Sequence, residues 1–284
     1  MMDSTATTTT GERMTRTARR MRTPHPRLLW IPAALALLFL ALPLAALISR
    51  VEWSTLWRDT TSEAALNALV LSLVTAGTAT VVCIVIGVPL AIFIARAPRG
   101  IAAAARILVA IPLVLPPMVG GVALLFLFGG SSVLGGWLSD AFDVALPFTT
   151  VAVVQAQIFV ALPFLVLAVE GSVRTAGTEY ERTASALGAR RWTVLWRITL
   201  PLAGNGLLAG VILCFARAIG EFGATALFAG NAPGVTQTMP LAIYTAFNGS
   251  GVEQGAAVAL SVMLIVAVLL VLLVTRAWRP GSLT

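Results

Sequence analysis

Arg217 and Glu221 stand four residues apart in FARAIGEFGA, inside a stretch that is otherwise apolar. Four residues make about one helical turn, so a helix sets the two charges side by side, where they neutralise each other. A lone charge within a bilayer core costs on the order of several kcal/mol, so the pair must face protein or water. Two roles fit it. One is a neutral pair that fixes packing between helices. The other is a gate or path element, in which Arg217 attracts an anion and Glu221 keeps that anion from binding too tightly. Gly220 and Gly223 flank Glu221 and permit close backbone approach or a local break.

Covalent chemistry finds little support. The single histidine, His25, lies between two prolines near the N-terminus. Cys83 and Cys214 each sit in an apolar run, and no CxxC or Cys/His cluster exists, so neither a metal site nor a disulfide framework is expected. All 19 basic residues are arginine. Without lysine there is no GxxxxGK[ST] loop, so this chain cannot supply that nucleotide engine itself. An intramembrane enzyme would need a catalytic dyad or metal set that the sequence lacks. A secondary transporter would need internal ionisable relays, and no clear inverted repeat is visible.

The elements that position the pair follow from composition. The chain is 58% hydrophobic and 11% charged, with a mean hydropathy of +0.93. This predicts an all-α polytopic membrane protein; a membrane β-barrel would alternate in short segments. Six transmembrane helices are predicted, near residues 28–48, 64–95, 101–128, 148–169, 204–229 and 256–274. Residues 1–27, with a threonine run and six arginines, are predicted to form a disordered basic cytoplasmic tail ahead of a membrane domain over 28–284. The first apolar run exceeds the roughly 7–15 residues of a cleaved leader, so a retained span is predicted.

Local features refine these spans. The second is longer than a bilayer requires, so it tilts or protrudes. Its stripe Ser72, Thr75, Thr78 is either hydroxyl glue between helices or a path lining. The third holds Pro112, Pro116, Pro117, Gly120 and Gly121, and is predicted to be kinked or broken. A break there marks a transport site or a packing kink. Gln155 and Gln157 are two apart and cannot both face one pore. Trp137 and Leu138 predict a short interfacial helix, and Trp53 and Trp57 suit an interfacial belt.

Sixteen of the nineteen arginines fall on one side of this topology. They lie in the tail, around the turn between the second and third spans, between the fourth and fifth spans, and at the C-terminus. Only Arg50 and Arg58 fall on the other side. The positive-inside rule then places both termini in the cytoplasm. It also explains the net charge of +7 by membrane orientation without invoking nucleic acid.

The same rule puts residues 178–201, TEYERTASALGARRWTVLWRITLP, in the cytoplasm. The stretch carries six charges between two apolar segments: Glu179, Glu181, Arg182, Arg190, Arg191 and Arg197. Thr178 and Glu181 predict a capping box and Gly188 a left-handed stop. Trp192, Leu195 and Trp196 predict an amphipathic second run, and Pro201 the opening of the next helix.

This stretch resembles the cytoplasmic coupling loop of the membrane subunits of binding-protein-dependent ABC importers. That pattern is Glu-Ala-Ala, three residues, Gly, nine residues, Ile-x-Leu-Pro. Ala184, Gly188, Ile198, Leu200 and Pro201 match it. Arg182 stands where glutamate is usual and Thr183 where alanine is usual; Glu181 is read as taking over the acidic role. LVLPPMVGGVALL and RAIGEFGATALFAGNAPGVTQTMPLAIY, the latter from Arg217 to Tyr244, are similar to the molybdate permease branch, itself similar to sulfate/thiosulfate permeases.

The resemblance implies a type I importer permease fold in the cell membrane, with no catalysis and no cofactor in this chain. It implies a separate cytoplasmic ATP-binding subunit that holds ATP, an extracytoplasmic oxyanion-binding protein, and a permease homodimer with the pore at its interface. Molybdate is the implied substrate, with tungstate and sulfate as alternatives. Glu179, Glu181, Arg182, Ala184, Leu187, Gly188, Ala189, Ile198, Leu200 and Pro201 would couple to the ATPase. Arg217, Gly220, Glu221 and Gly223 would form the pore or gate.

Overall fold

A computed structural model describes residues 29–249 and 254–277. The expected basic tail, with His25, and the C-terminal Trp278 and Arg279 lie outside the described residues. The chain divides into two units, Met1–Ser49 and Arg50–Thr284. In the first, α1 (Trp30–Ser49) is a 20-residue apolar helix, about 30 Å long and so long enough to cross a bilayer core.

The second unit holds the remaining described helices. These are α2 (Leu56–Thr60), α3 (Glu63–Arg96), α4 (Arg99–Val114), α5 (Pro117–Phe128), α6 (Val133–Phe142) and α7 (Thr150–Ala176). Then come α8 (Glu179–Ala186), α9 (Arg191–Val194), a π turn (Leu195–Thr199), α10 (Leu200–Leu202), α11 (Gly204–Ile219), α12 (Gly223–Phe228), α13 (Met239–Asn248) and α14 (Gln254–Ala277). Among the described residues, four helices are long and apolar enough to span a membrane alone: α1, α3, α7 and, within α14, Gly255–Leu273. Two bent pairs raise the count to as many as six.

Both bends have a chemical cause. Arg99–Val114 and Pro117–Phe128 meet at 112°. Proline disfavours a helical residue before it, and Leu115 and Pro116 are accordingly extended, with ψ of 136° and 132°. Pro117 then opens α5, where its missing N–H costs nothing. The predicted break is therefore a sharp elbow. Arg191–Leu202 and Gly204–Ile219 meet at 71°. This corrects the expected helix start at Pro201: the helical run begins at Arg191, Pro201 lies within α10, and the span-forming α11 starts after the bend. Pro201 lacks an N–H for the carbonyl four residues back. The backbone before it widens into the π turn, where the Leu200 N–H reaches Leu195 O, five residues back.

The core lies where α3, α7 and α11 pack, around Ala76, Ala79, Cys83, Leu165, Val166, Cys214 and Ala218. Small residues let the backbones approach. A Cβ on Gly87 would sit 2.9 Å from Leu162 Cδ1, and one on Gly206 would sit 2.2 Å from Ser172 Cβ. Ser72 and Thr75 are buried and serve as glue: the Met239 N–H donates to Ser72 Oγ at 2.7 Å, and Gln157 Nε2 to Thr75 Oγ1 at 3.2 Å. Gln157 is thus held in the core, while Gln155 lines a different cavity with Pro112, Phe128 and Phe159. Trp137 and Leu138 lie in α6, as expected.

The fourth predicted span stops too early at residue 169. Helix α7 runs on to Ala176 because Glu170 does not end it. Its buried carboxylate receives Arg106 from α4, through Nε at 3.2 Å and a shorter contact from Nη2, and Arg174 one turn along at 3.4 Å. With two guanidiniums around it, the charge sits in the helix at low cost.

Candidate functional site

The segment 178–201 folds as a short exposed helix followed by a tight reversal. Helix α8 buries none of its side chains. It ends in a Schellman motif: Gly188 has φ +84°, its N–H donates to Ser185 O at 3.0 Å, and the Ala189 N–H donates to Ala184 O at 3.0 Å. The left-handed stop expected at Gly188 is therefore present. No neighbour lies within 4 Å of a Cβ built there, so the constraint is the backbone angle alone.

The expected capping box is not present. Thr178 makes no side-chain cap bond. Glu181 turns inward instead: Arg96 Nη2 donates to its Oε1 at 2.7 Å, and Thr199 Oγ1 donates to the same oxygen at 2.7 Å. Here the carboxylate meets an ionised donor and a second, hydroxyl donor in a partly buried site, which together hold it more strongly than one neutral backbone N–H at a solvated helix start. Trp192 and Trp196 are exposed, and the buried positions on this run are Val194 and Thr199.

The outer surface of the segment is therefore apolar and basic. Leu187 is 84% exposed at the C-terminal end of α8, and Tyr180 is exposed near its start. Glu179, Arg182, Arg190, Arg191 and Arg197 are also exposed, while Ala184, Ala189, Ile198 and Leu200 are half-buried and Pro201 is exposed. A cleft of about 680 Å³ lies beside α8, lined by Arg96, Glu181, Arg182, Ser185, Arg191 and Thr199, among others.

The second cluster lies where α11 ends. Helix α11 carries Arg217 about 20 Å from its start at Gly204, by ordinary helical rise. Arg217 Nη2 lies 2.5 Å from Glu221 Oε2, and the side chains are 25% and 1% exposed. Glu221 has a second task. Its Oε1 accepts the Ala224 N–H at 2.7 Å, which caps the start of α12. The break at Gly220–Phe222 is therefore chemically closed by the same carboxylate that balances Arg217.

Gly223 is held close by its neighbours: a Cβ there would meet Met118 N at 3.1 Å and Pro117 Cβ at 3.2 Å. Opposite it, a Cβ on Gly121 would sit 2.7 Å from Ala224 O. The two broken helices, α5 and α12, thus meet backbone to backbone. Gly220 is different, since a Cβ there meets only Ala216 O at 3.5 Å and its φ is −87°. Gly220→Ala is expected to keep or raise thermal stability, by about 0.4–1 kcal/mol through a stiffer unfolded chain. Thermal unfolding of the purified variant checks this.

The structure brings Glu181 to Thr199 beside the predicted coupling set, and Arg217 to Glu221 within the predicted gate set. Arg96, Thr199, Arg106 and Glu170 lie outside the predicted site residues. Arg96 and Glu181 are 85 positions apart, and no local spacing reveals such a pair. The only sequence signal for the Glu170 cluster is Glu170 and Arg174 at helical i,i+4 spacing.

A membrane protein of broken spans, with an exposed helix-turn segment between two of them, is the class that this architecture defines. Residues 87–281 match the family described as binding-protein-dependent transport system inner membrane component, and the chain belongs to that family. It is a multi-pass membrane transport permease. The molybdenum transport system permease protein ModB of Mycobacterium tuberculosis is 46% identical over 258 residues, which cover 91% of this chain and 96% of that protein. A probable molybdenum ABC transporter permease of Haloferax volcanii is 38% identical, covering 87% of this chain and 90% of that one. Among solved structures, a bacterial alginate ABC transporter in complex with an alginate pentasaccharide-bound periplasmic protein aligns with a TM-score of 0.69 at 17% identity, over 87% of this chain and 91% of that chain. The MetNI methionine ABC transporter aligns with a TM-score of 0.59 at 19% identity, over 78% of this chain and 100% of that chain. These two likenesses establish the fold.

Proposed function

We propose that this chain is the permease subunit of an ATP-driven importer that moves a tetrahedral oxyanion, molybdate, into the cytoplasm. The observation that carries the substrate is the 46% identity, over nearly the whole chain, to a molybdenum transport permease. In this reading the chain crosses the membrane six times, with both termini and residues 178–201 in the cytoplasm. The one-sided distribution of arginine supports that orientation.

ATP is hydrolysed by a separate cytoplasmic subunit, and the oxyanion is delivered by an extracytoplasmic binding protein. Helix α8 is the docking element for the ATP-binding subunit. Support comes from its exposed apolar side chains, Leu187 and Tyr180, which are costly to leave in water. With Glu181 turned inward, the exposed face carries four arginines against one glutamate, so it favours an acidic partner surface. Association with the ATP-binding subunit is expected to weaken as ionic strength rises, measured by co-purification over a salt series.

The pore forms between two copies of this chain. Leu213, Arg217 and Gly220 share one face of α11, and Arg217 is partly exposed there. A part-exposed arginine is too costly against lipid, so that face turns to water or to the second copy. Arg217 then attracts the anion, and Glu221 balances it.

The test of docking is Gly188→Trp. A tryptophan at φ +84° strains the turn and fills the surface beside Leu187. Membrane insertion is expected to stay intact while co-purification of the ATP-binding subunit is lost. Co-purification at the unaltered level would count against the coupling role.

A further inference from the structure

We propose that Glu181 is a positioning residue. Through Arg96 and Thr199 it fastens α8 to the spans that must move, and it does not itself contact the ATP-binding subunit. The inference rests on the reading of α8 as the docking element.

The first observation is that α8 has no fully buried apolar side chain to anchor it; only Ala184 and Glu181 are half-buried. A helix that receives force at its surface transmits it only if something ties it to the body. The second observation is the tie itself. Glu181 Oε1 accepts from Arg96 Nη2 at 2.7 Å and from Thr199 Oγ1 at 2.7 Å. The same Nη2 donates to Gly177 O at 2.9 Å, at the C-terminal cap of α7. One carboxylate and one guanidinium therefore join four segments: the last residue of α3, the end of α7, the first turn of α8, and the π turn that leads towards α11.

The surroundings favour a durable contact. Thr199 is buried, and the Arg96 and Glu181 side chains are only 27% and 20% exposed. Charge-assisted bonds shielded from water in this way are stronger than surface pairs. Helices α3 and α11 both pack in the central core. A displacement of α8 is thereby passed to the ends of α3 and α7 and, through the π turn and α10, towards α11.

The position of Glu181 also accounts for Arg182. If the acid next to the usual glutamate position serves an internal contact, the neighbouring residue on the exposed face is free to be basic.

The experiment uses the complete complex of this chain with its ATP-binding subunit and binding protein, in proteoliposomes. Three readouts are taken: co-purification of the ATP-binding subunit, ATP hydrolysis, and molybdate uptake. Glu181→Gln and Arg96→Gln are each expected to keep co-purification and hydrolysis within about two-fold of the parent while uptake falls at least about ten-fold, a loss of about 1.4 kcal/mol of coupling. Thr199→Val, which removes one arm only, is expected to lower uptake less.

The exchange Arg96→Glu with Glu181→Arg is expected to recover uptake to within about three-fold, which a general loss of stability would not produce. Loss of co-purification in Glu181→Gln would overturn the proposal and leave the docking role of α8 standing. Unchanged uptake in both single variants would also overturn it. If a single variant fails to accumulate, the exchange decides: restored uptake upholds the tie, and an exchange without uptake, or one that does not accumulate, overturns it. Failure of the docking reading itself shows up separately, as retained co-purification in Gly188→Trp.

Discussion

Gly121→Val is expected to prevent the folded permease from accumulating, and Gly121→Ala to lower its thermal stability sharply. The reason is where α5 crosses α12. A Cβ at residue 121 would lie 2.7 Å from Ala224 O and 2.9 Å from Ala224 Cα, with Leu227 Cβ at 3.1 Å. Two of these three neighbours are backbone atoms, so no side-chain rotation relieves the clash. Overpacking costs about 1–3 kcal/mol where side chains can yield, and this site belongs at or above the upper end. The shift would also disturb the Ala224 N–H that Glu221 caps. Gly77→Ala is the control, because nothing lies within 4 Å of a Cβ there. Size-exclusion profiles and thermal unfolding of detergent-extracted protein report both variants. A Gly121→Ala protein as stable as Gly77→Ala would remove the close crossing from the account.

The second large effect concerns the pair at the end of α11. Glu221→Ala leaves Arg217 without its counter-charge and α12 without its cap; Arg217→Ala leaves a carboxylate that is 1% exposed without its cation. Removing one partner of a buried pair costs about 3–5 kcal/mol, since the survivor remains desolvated. Each single variant is therefore expected to accumulate poorly. The double variant is expected to accumulate better than the sum of the two losses allows, because the residues are in direct contact. Uptake by the double variant then separates the two roles. A pair that only fixes packing permits near-normal uptake once the protein folds. A pair that forms part of the path does not.

The course of the chain is largely legible in its sequence because bilayer spans are written as apolar length. The spans around α1, α3 and α14 are set by that length alone. Gly188 is legible as well, since a left-handed stop after a helix is a local demand on one residue. The α7 boundary is not, because a span that reaches Glu170 looks finished until Arg106, 64 positions away, is known to lie beside it. The elbow at Leu115–Pro116 is readable as a break, while its angle of 112° depends on what α5 packs against.

The candidate sites divide in the same way. Arg217 and Glu221 are visible together because one helical turn joins them. Local spacing pairs Glu181 with Thr178, and the family resemblance assigns it to the ATPase side, whereas its hydrogen-bond partners are Arg96 and Thr199. Nothing in the local pattern separates a capping glutamate from one that reaches another helix. The π turn has a readable cause in Pro201, but the wider turn is one of several ways to relieve a proline.

Uptake into proteoliposomes tests the central claim most directly. The vesicles contain this chain with its ATP-binding subunit, and the oxyanion-binding protein is supplied on the opposite face. Labelled molybdate is expected to accumulate only when ATP is present on the cytoplasmic face, and accumulation is expected to stop with Gly188→Trp. Molybdate uptake by this chain alone, driven by an ion gradient and indifferent to ATP, would contradict the account.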